Sequence, residues 1–373
     1  MTSLDSLLST SQMLAAWRRR DRSFDGLFVL GVRTTGIFCR PSCPSQPNEE
    51  NLEFLDSPAS ALAAGYRPCK RCQPTLSFGQ RPEWVQRLIE HSNQNPTAPI
   101  RASDLKRLGL TPETVRRWFA ANLGQTFAQW QREQRLGSAL HQLAAGGSID
   151  DAVHASAFES HSGFRTAFAR LFDTPPGTAS EKDCIFTAWY ESPLGPMIAL
   201  ADATGLRALE FAQPDQMGTL AEEARKKFGK TLLHRSNETL KVLGEELRSY
   251  FGGTLRRFRT RIAPQGTSFQ LRVWEVLREI PFGETASYAE VATQVGDVRA
   301  VRAVARANAT NPIYLLVPCH RVISKDGGLS GYGGGVWRKR ALIRLEREGK
   351  ISLAPSPTPP PLPRQQPPKE EAV

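Results

Sequence analysis

Pro318-Cys319-His320-Arg321-Val322 decides how this chain is read. The stretch follows an apolar run, Ile313-Tyr314-Leu315-Leu316-Val317, and precedes a glycine-rich segment from Gly327 to Gly335. A cysteine at the end of a buried segment, with a histidine beside it, has the makings of a nucleophile. The thiolate rather than the thiol attacks carbon, and a neighbouring base produces it at neutral pH. Taken alone, a Cys-His pair reads first as a buried structural thiol. Its surroundings reverse that reading: Asn311-Pro312 stands before it, Gly331-Tyr332-Gly333-Gly334-Gly335 after it, and a helix is expected over 339–346, ending in Glu346.

These words, in this order, resemble the active site of the O6-alkylguanine-DNA alkyltransferases. So does the upstream stretch Ile280-Pro281-Phe282-Gly283-Glu284-Thr285-Ala286-Ser287-Tyr288. The resemblance implies that His320, oriented by Glu346, takes the Cys319 proton through a water. It also implies that Asn311 braces the turn and that Tyr288 donates to a ring nitrogen of the base. The carboxylate would favour an imidazolium, and the imidazolium a thiolate. The product would be S-methylcysteine, one turnover per site. A methyl on a base oxygen is reached only by extruding the nucleotide. The matching helix, 299–309, carries Ala300, Ala303, Ala305 and Ala307 for close approach, with Arg302 and Arg306 for phosphates.

A second cysteine group lies near the N-terminus. Cys39 and Cys43 are separated by three residues, Cys69 and Cys72 by two, with residues 44–68 between the pairs. Such spacing is the signature of a four-thiolate zinc site. Disulfides are the other reading. The start, MTSLDSLLSTSQML, lacks a basic segment followed by an apolar core, so no secretory signal is expected. Thr34 to Cys43, Gly65 to Cys72 and Phe24-Asp25-Gly26 resemble the N-terminal domain of Ada proteins. That resemblance makes Cys39 the acceptor of a methyl from a backbone phosphotriester. It places Arg40, Arg67, Lys70 and Arg71 near DNA, although each reads equally as plain surface. Zn²⁺ with four thiolates is formally −2, and methylation of one sulfur leaves −1, which lowers repulsion from phosphates.

With 373 residues, two to four domains are expected. A net charge of +11 favours a polyanionic partner. No apolar run is long enough for a membrane span. Of the six cysteines, Cys184 is left over in an expected linker. Residues 80–99 read as a linker or short helix with breakers at Asn95-Pro96-Thr97-Ala98-Pro99. From Ile100 the pattern turns helical. Thr111-Pro112-Glu113 supplies an N-cap, a first-turn proline and an early acid. Arg116 and Arg117 follow on that helix. A second copy ends in His161 to Phe172, which resembles the second recognition helix of AraC-type regulators and turns Arg165 outward toward DNA. An ordinary helical bundle is the plain alternative. Thr187–Tyr190, Met197–Ala201 and Gly205–Phe211 read as strands, Leu220–Phe228 and Thr239–Phe251 as helices.

The expected fold is multidomain. A small zinc-bound α/β domain (1–78) precedes an all-α AraC-like double helix-turn-helix (82–180). An α/β alkyltransferase follows, with a small sheet subdomain (185–265) and a helical, winged-helix-like catalytic subdomain (267–350). A Pro-rich disordered tail occupies 353–373. The expected function is removal of methyl groups from O6-methylguanine and O4-methylthymine to Cys319, and from phosphotriesters to Cys39. The second transfer would switch the protein to an activator of the alkylation response. A repair protein that only binds DNA through its N-terminal half is the alternative. A zinc transcription factor with a dead alkyltransferase half is opposed by the intact Cys319, His320, Asn311, Tyr288 and Glu346. Expected partners are double-stranded DNA and RNA polymerase, with the chain a monomer in the bacterial cytoplasm, at the nucleoid.

Overall fold

Val29-Leu30-Gly31-Val32 is an unbroken apolar run, and in the computed structural model it forms β1 (Val29–Val32), buried at every position. The structure describes residues 9–21, 24–75, 82–94, 98–212, 217–325, 327–329 and 332–349. The expected tail at 353–373, the breakers Asn95-Pro96-Thr97 and Gly331 lie outside these residues. Two units divide the chain, one reaching Leu76 and the other spanning Ser77–Ile351.

In the first unit, α1 (Thr10–Arg18) is capped by a reciprocal Ser9/Gln12 box. The strand β1 pairs antiparallel with β2 (Ile37–Cys39) and with β3 (Leu52–Leu55). After α2 (Pro58–Ala63), the short β4 (Arg67–Pro68) adds to β2 in parallel. Gly31 is required here, because a Cβ would sit 2.6 Å from the Tyr66 ring.

The second unit begins with α3 (Glu83–Gln94), which buries Val85 and Leu88. Of the two readings for residues 80–99, linker or short helix, the structure has the helix over Glu83–Gln94. Helices α4 (Ala102–Arg107), α5 (Pro112–Leu123), α6 (Phe127–Ala144), α7 (Ile149–Ala155) and α8 (His161–Phe172) follow. The Thr111 hydroxyl accepts from Thr114 N at 3.2 Å, as the cap reading anticipates. Next come β5 (Cys184–Tyr190), β6 (Met197–Asp202), β7 (Gly205–Phe211), α9 (Met217–Phe228), β8 (Thr231–Leu233) and α10 (Glu238–Phe251). The sheet order is β7-β6-β5-β8, with β8 parallel to β5. Cys184 is not in a linker: it opens β5 opposite Thr231 and is fully buried.

This sheet is covered on both faces. Ile185, Ile198 and Leu200 share a core with Val115, Phe119 and Trp130 of α5 and α6. Phe186 and Ala199 face α10, whose Leu240, Leu243 and Leu247 join their cluster. A two-sided sheet needs apolar residues at consecutive positions, and β5 has them. The last part comprises α11 (Ser268–Glu279), β9 (Ala286–Ser287), α12 (Tyr288–Val295), α13 (Val301–Ala309), β10 (Val322–Ile323) and α14 (Val336–Glu348). The indole N–H of Trp274 on α11 donates to Ala307 O at 2.9 Å and fixes α13. No helix among the described residues is long and apolar enough to cross a membrane.

Candidate active site and metal centre

The chain between α13 and β10 is tied down at three places. Leu209 of β7 donates to Pro312 O, and Tyr314 N donates back to Leu209 O, both at 2.8 Å. The Asn311 amide reaches Val317 O at 2.8 Å and Cys319 Sγ at 3.0 Å, while its Oδ1 accepts from Ile313 N at 3.0 Å. Parallel pairing of Val322 with Ala286 then sets the short 3-10 turn Cys319–Arg321 beside the start of α12, where Tyr288 stands half-buried. Leu315 holds φ 69°, outside the regions a branched side chain favours. Such strain beside a candidate nucleophile fits a turn that its surroundings dictate.

On α14, Lys339, Leu342 and Glu346 line up at helical spacing and are buried. The Glu346 carboxylate accepts from Tyr250 Oη at 2.7 Å and from His320 Nε2 at 2.9 Å on one oxygen, and from Arg321 Nε at 2.8 Å on the other. Arg321 also reaches it through its terminal nitrogen at 2.9 Å, and Gly283 N does so at 3.1 Å. An ionised carboxylate only accepts, so Nε2 of His320 carries the hydrogen and Nδ1 is left as the basic nitrogen. That Nδ1 is buried with no hydrogen-bond partner among the described residues.

Electrostatics revise one expectation. Burial pushes the Cys319 thiol up to about 11, although the Asn311 hydrogen bond and the Lys339 charge oppose the shift. Burial also drives the His320 pKa down, against the pull of Glu346. Burial would raise the Glu346 carboxyl, but His320 and Arg321 outweigh it and hold it well below the usual carboxylate range. Both shifts, the thiol upward and the imidazole downward, oppose the ion pair expected from the sequence.

Residues beyond the sequence reading complete the site. Lys339 is fully buried, its ammonium 5.9 Å from the Tyr288 ring centre, and burial lowers it to about 8. Its helical register with Glu346 was the available signal. Tyr250 stands 96 positions from Glu346 and offered none. Arg338 donates to Leu194 O at 2.8 Å and Gly334 O at 2.7 Å, joining the sheet to the glycine-rich loop. Gly334 must be glycine there, since a Cβ would meet the Tyr332 ring at 2.7 Å.

The cysteine cluster is built by the β2/β4 pairing, which sets Cys69 beside Cys39: Cys69 N donates to Phe38 O at 3.0 Å. Buried Asp25 accepts from Ser42 N at 3.0 Å and from Ser42 Oγ at 2.5 Å, holding the turn that carries Cys43. Arg40 N donates to Cys72 Sγ at 3.4 Å, and Ser45 Oγ donates to Cys43 Sγ at 3.3 Å. The Sγ atoms of Cys39, Cys43, Cys69 and Cys72 all lie within 4.8 Å of one another. Zn–S bonds of ~2.3 Å in a tetrahedron put sulfurs ~3.8 Å apart, so the donor set fits zinc.

The arginines divide. Arg116 and Arg117 on α5, Arg165 on α8, Arg302 and Arg306 on α13, and Arg71 are exposed. Arg116 and Arg117 both engage Glu113, at 3.0 and 3.7 Å. Arg40, read as facing DNA, instead spends its guanidinium on Cys72 O and Gln73 O at 2.9 and 3.0 Å. A guanidinium bound to two carbonyls braces the cysteine loops.

Comparison with known proteins follows the same order along the chain. Residues 12–75 match the metal binding domain of Ada and 105–182 a helix-turn-helix domain. Residues 185–264 match the ribonuclease-like domain of 6-O-methylguanine DNA methyltransferase, and 268–348 its DNA binding domain. The bifunctional transcriptional activator/DNA repair enzyme Ada of Escherichia coli K12 is 35% identical over 344 residues, which cover 89% of this chain and 94% of that protein. The regulatory protein ada of Salmonella typhimurium LT2 is 34% identical over 350 residues, 88% of this chain and 94% of its own. A methylated-DNA–protein-cysteine methyltransferase of Methanosarcina acetivorans is 39% identical over 162 residues, 43% of this chain and 98% of that protein. Similarity that runs through the cysteine cluster, the helices and the Cys319 site alike makes this chain a member of the Ada family.

Proposed function

We propose that this chain repairs alkylated DNA by two irreversible methyl transfers and that the second turns it into a transcriptional activator. The observation that carries the reading is the buried network Asn311–Cys319 and His320–Glu346–Arg321, in which a thiol and an unpartnered ring nitrogen on consecutive residues are both kept from water. In the first transfer, His320 Nδ1 receives the Cys319 proton through a bridging water. The sulfur pair forms an S–C bond with the methyl of O6-methylguanine or O4-methylthymine, and the C–O pair returns to the base. Tyr288 donates to the ring nitrogen as charge grows there. Lys339 stabilises the sulfur anion during the step. Arg302 and Arg306 hold the backbone while the base is extruded.

Zinc, when bound by Cys39, Cys43, Cys69 and Cys72, keeps those sulfurs ionised at neutral pH. Cys39 takes the methyl of a phosphotriester; its sulfur forms the S–C bond and the phosphate recovers its charge. Arg71 contacts the backbone. Arg116, Arg117 and Arg165 read promoter DNA from the major groove. RNA polymerase is the further partner, and the chain works as a monomer in the bacterial cytoplasm, at the nucleoid. The test is Cys319→Ala, offered DNA with each lesion. It should lose base repair and keep phosphotriester repair; full base repair would reject the assignment of Cys319.

A further inference from the structure

A cavity of about 420 Å³ lies between helices α3, α5 and α6 and the β5–β6 face of the sheet. Its size falls within the ~300–1,000 Å³ of small-molecule sites, which favour junctions of this kind. Trp130, Trp189 and Ile198 give it an apolar lining. The Trp189 indole N–H is held by Glu191 at 3.2 Å, which fixes that ring. Thr187 lies between Ile185 and Trp189 on β5, so alternation turns it to the same face as those two residues, toward the helices. Its hydroxyl is buried with no hydrogen-bond partner among the described residues. A junction that served packing alone would place an apolar residue there, since an unmet buried hydroxyl is unfavourable. His234 and Arg235 also line it, Arg235 donating to Gly137 O at 2.7 Å through one terminal nitrogen, and none of the lining side chains is acidic.

We propose that this cavity binds a planar aromatic anion. The ring would lie against the indoles, accept from Thr187, and turn its negative group to Arg235. The site belongs to neither methyl transfer. An occupant would bridge the DNA-reading helices and the alkyltransferase sheet, and so raise the melting temperature by linkage.

The test uses the full chain and two probes, 8-anilinonaphthalene-1-sulfonate and its neutral counterpart N-phenyl-1-naphthylamine, titrated by fluorescence. One saturable sulfonate site per chain, with quenching of tryptophan emission and at least tenfold preference over the neutral probe, is expected. Asn93→Trp at the exposed rim and Ser138→Trp within the cavity should each weaken binding at least tenfold. Arg235→Met should erase the preference for the anion. Should Ser138→Trp fail to fold, the rim variant decides. Unsaturable binding, equal affinity for both probes, or wild-type binding in Asn93→Trp would overturn the proposal.

Discussion

Glu346→Gln removes one negative charge from the centre of a buried polar network in the second unit. The change strands Arg321, which is only 7% exposed and whose guanidinium meets both carboxylate oxygens. Breaking a buried ion pair from one side costs about 3–5 kcal/mol. Glutamine keeps one acceptor oxygen for Tyr250 or His320, so the lower end, about 3 kcal/mol, applies. At roughly 2–4 °C per kcal/mol for a unit of this size, the melting temperature should fall by roughly 6–12 °C. The sign with pH follows from the depressed Glu346 pKa. Its stabilisation is present above the unfolded carboxyl value of about 4.3 and is lost as pH falls through the lower folded value. Calorimetry of both proteins from pH 7 downward should therefore show a gap that is constant to about pH 5 and narrows in acid. A shift under 2 °C at pH 7, or a gap that does not change in acid, would refute the reasoning.

Further outcomes follow from other parts of the structure. Alkylation of Cys319 by iodoacetamide in the DNA-free protein should accelerate about tenfold per pH unit between pH 7 and 10, because the thiol is pushed up to about 11; a plateau below pH 8 would show a preformed thiolate. Lys339→Met should slow that reaction, since the ammonium opposes the shift. Asp25→Ala should weaken zinc binding by roughly 10–100-fold, read by competition with a chromophoric chelator, because Asp25 holds the Cys43 turn. Methylation of Cys39 should raise promoter affinity more at low salt than at high salt; a gain independent of salt would count against an electrostatic switch.

Much of the site was legible because its chemistry is local in sequence. The cysteine spacings, the Asn311 to Val322 run and the bounds of β7 needed no distant partner. The Thr111 cap likewise acts within its own turn. What escaped notice was non-local or short. Tyr250 reaches Glu346 across 96 positions. The strands β8, β9 and β10 hold too few residues to show a period. Between residues 80 and 99 the breakers left linker and short helix both open, and α3 occupies Glu83–Gln94. Cys184 looked like linker because its burial comes from Thr231 and the sheet around it. The two-faced character of β5 was readable in Ile185-Phe186-Thr187-Ala188-Trp189, where apolar residues occupy both alternating sets. Arg40 reads as a surface cation until its carbonyl partners, Cys72 and Gln73, are placed.

The central claim, two cysteines with two separate substrates, is tested most directly by following the methyl group. DNA carrying isotopically labelled methyl at O6 of guanine, and separately at backbone phosphotriesters, would be incubated with the full chain, which is then digested and mapped by mass spectrometry. Label from the base should appear on the peptide containing Cys319, and label from the phosphotriester on the peptide containing Cys39, each at one methyl per chain. Label from both lesions on a single cysteine, or on Cys184, would contradict the account.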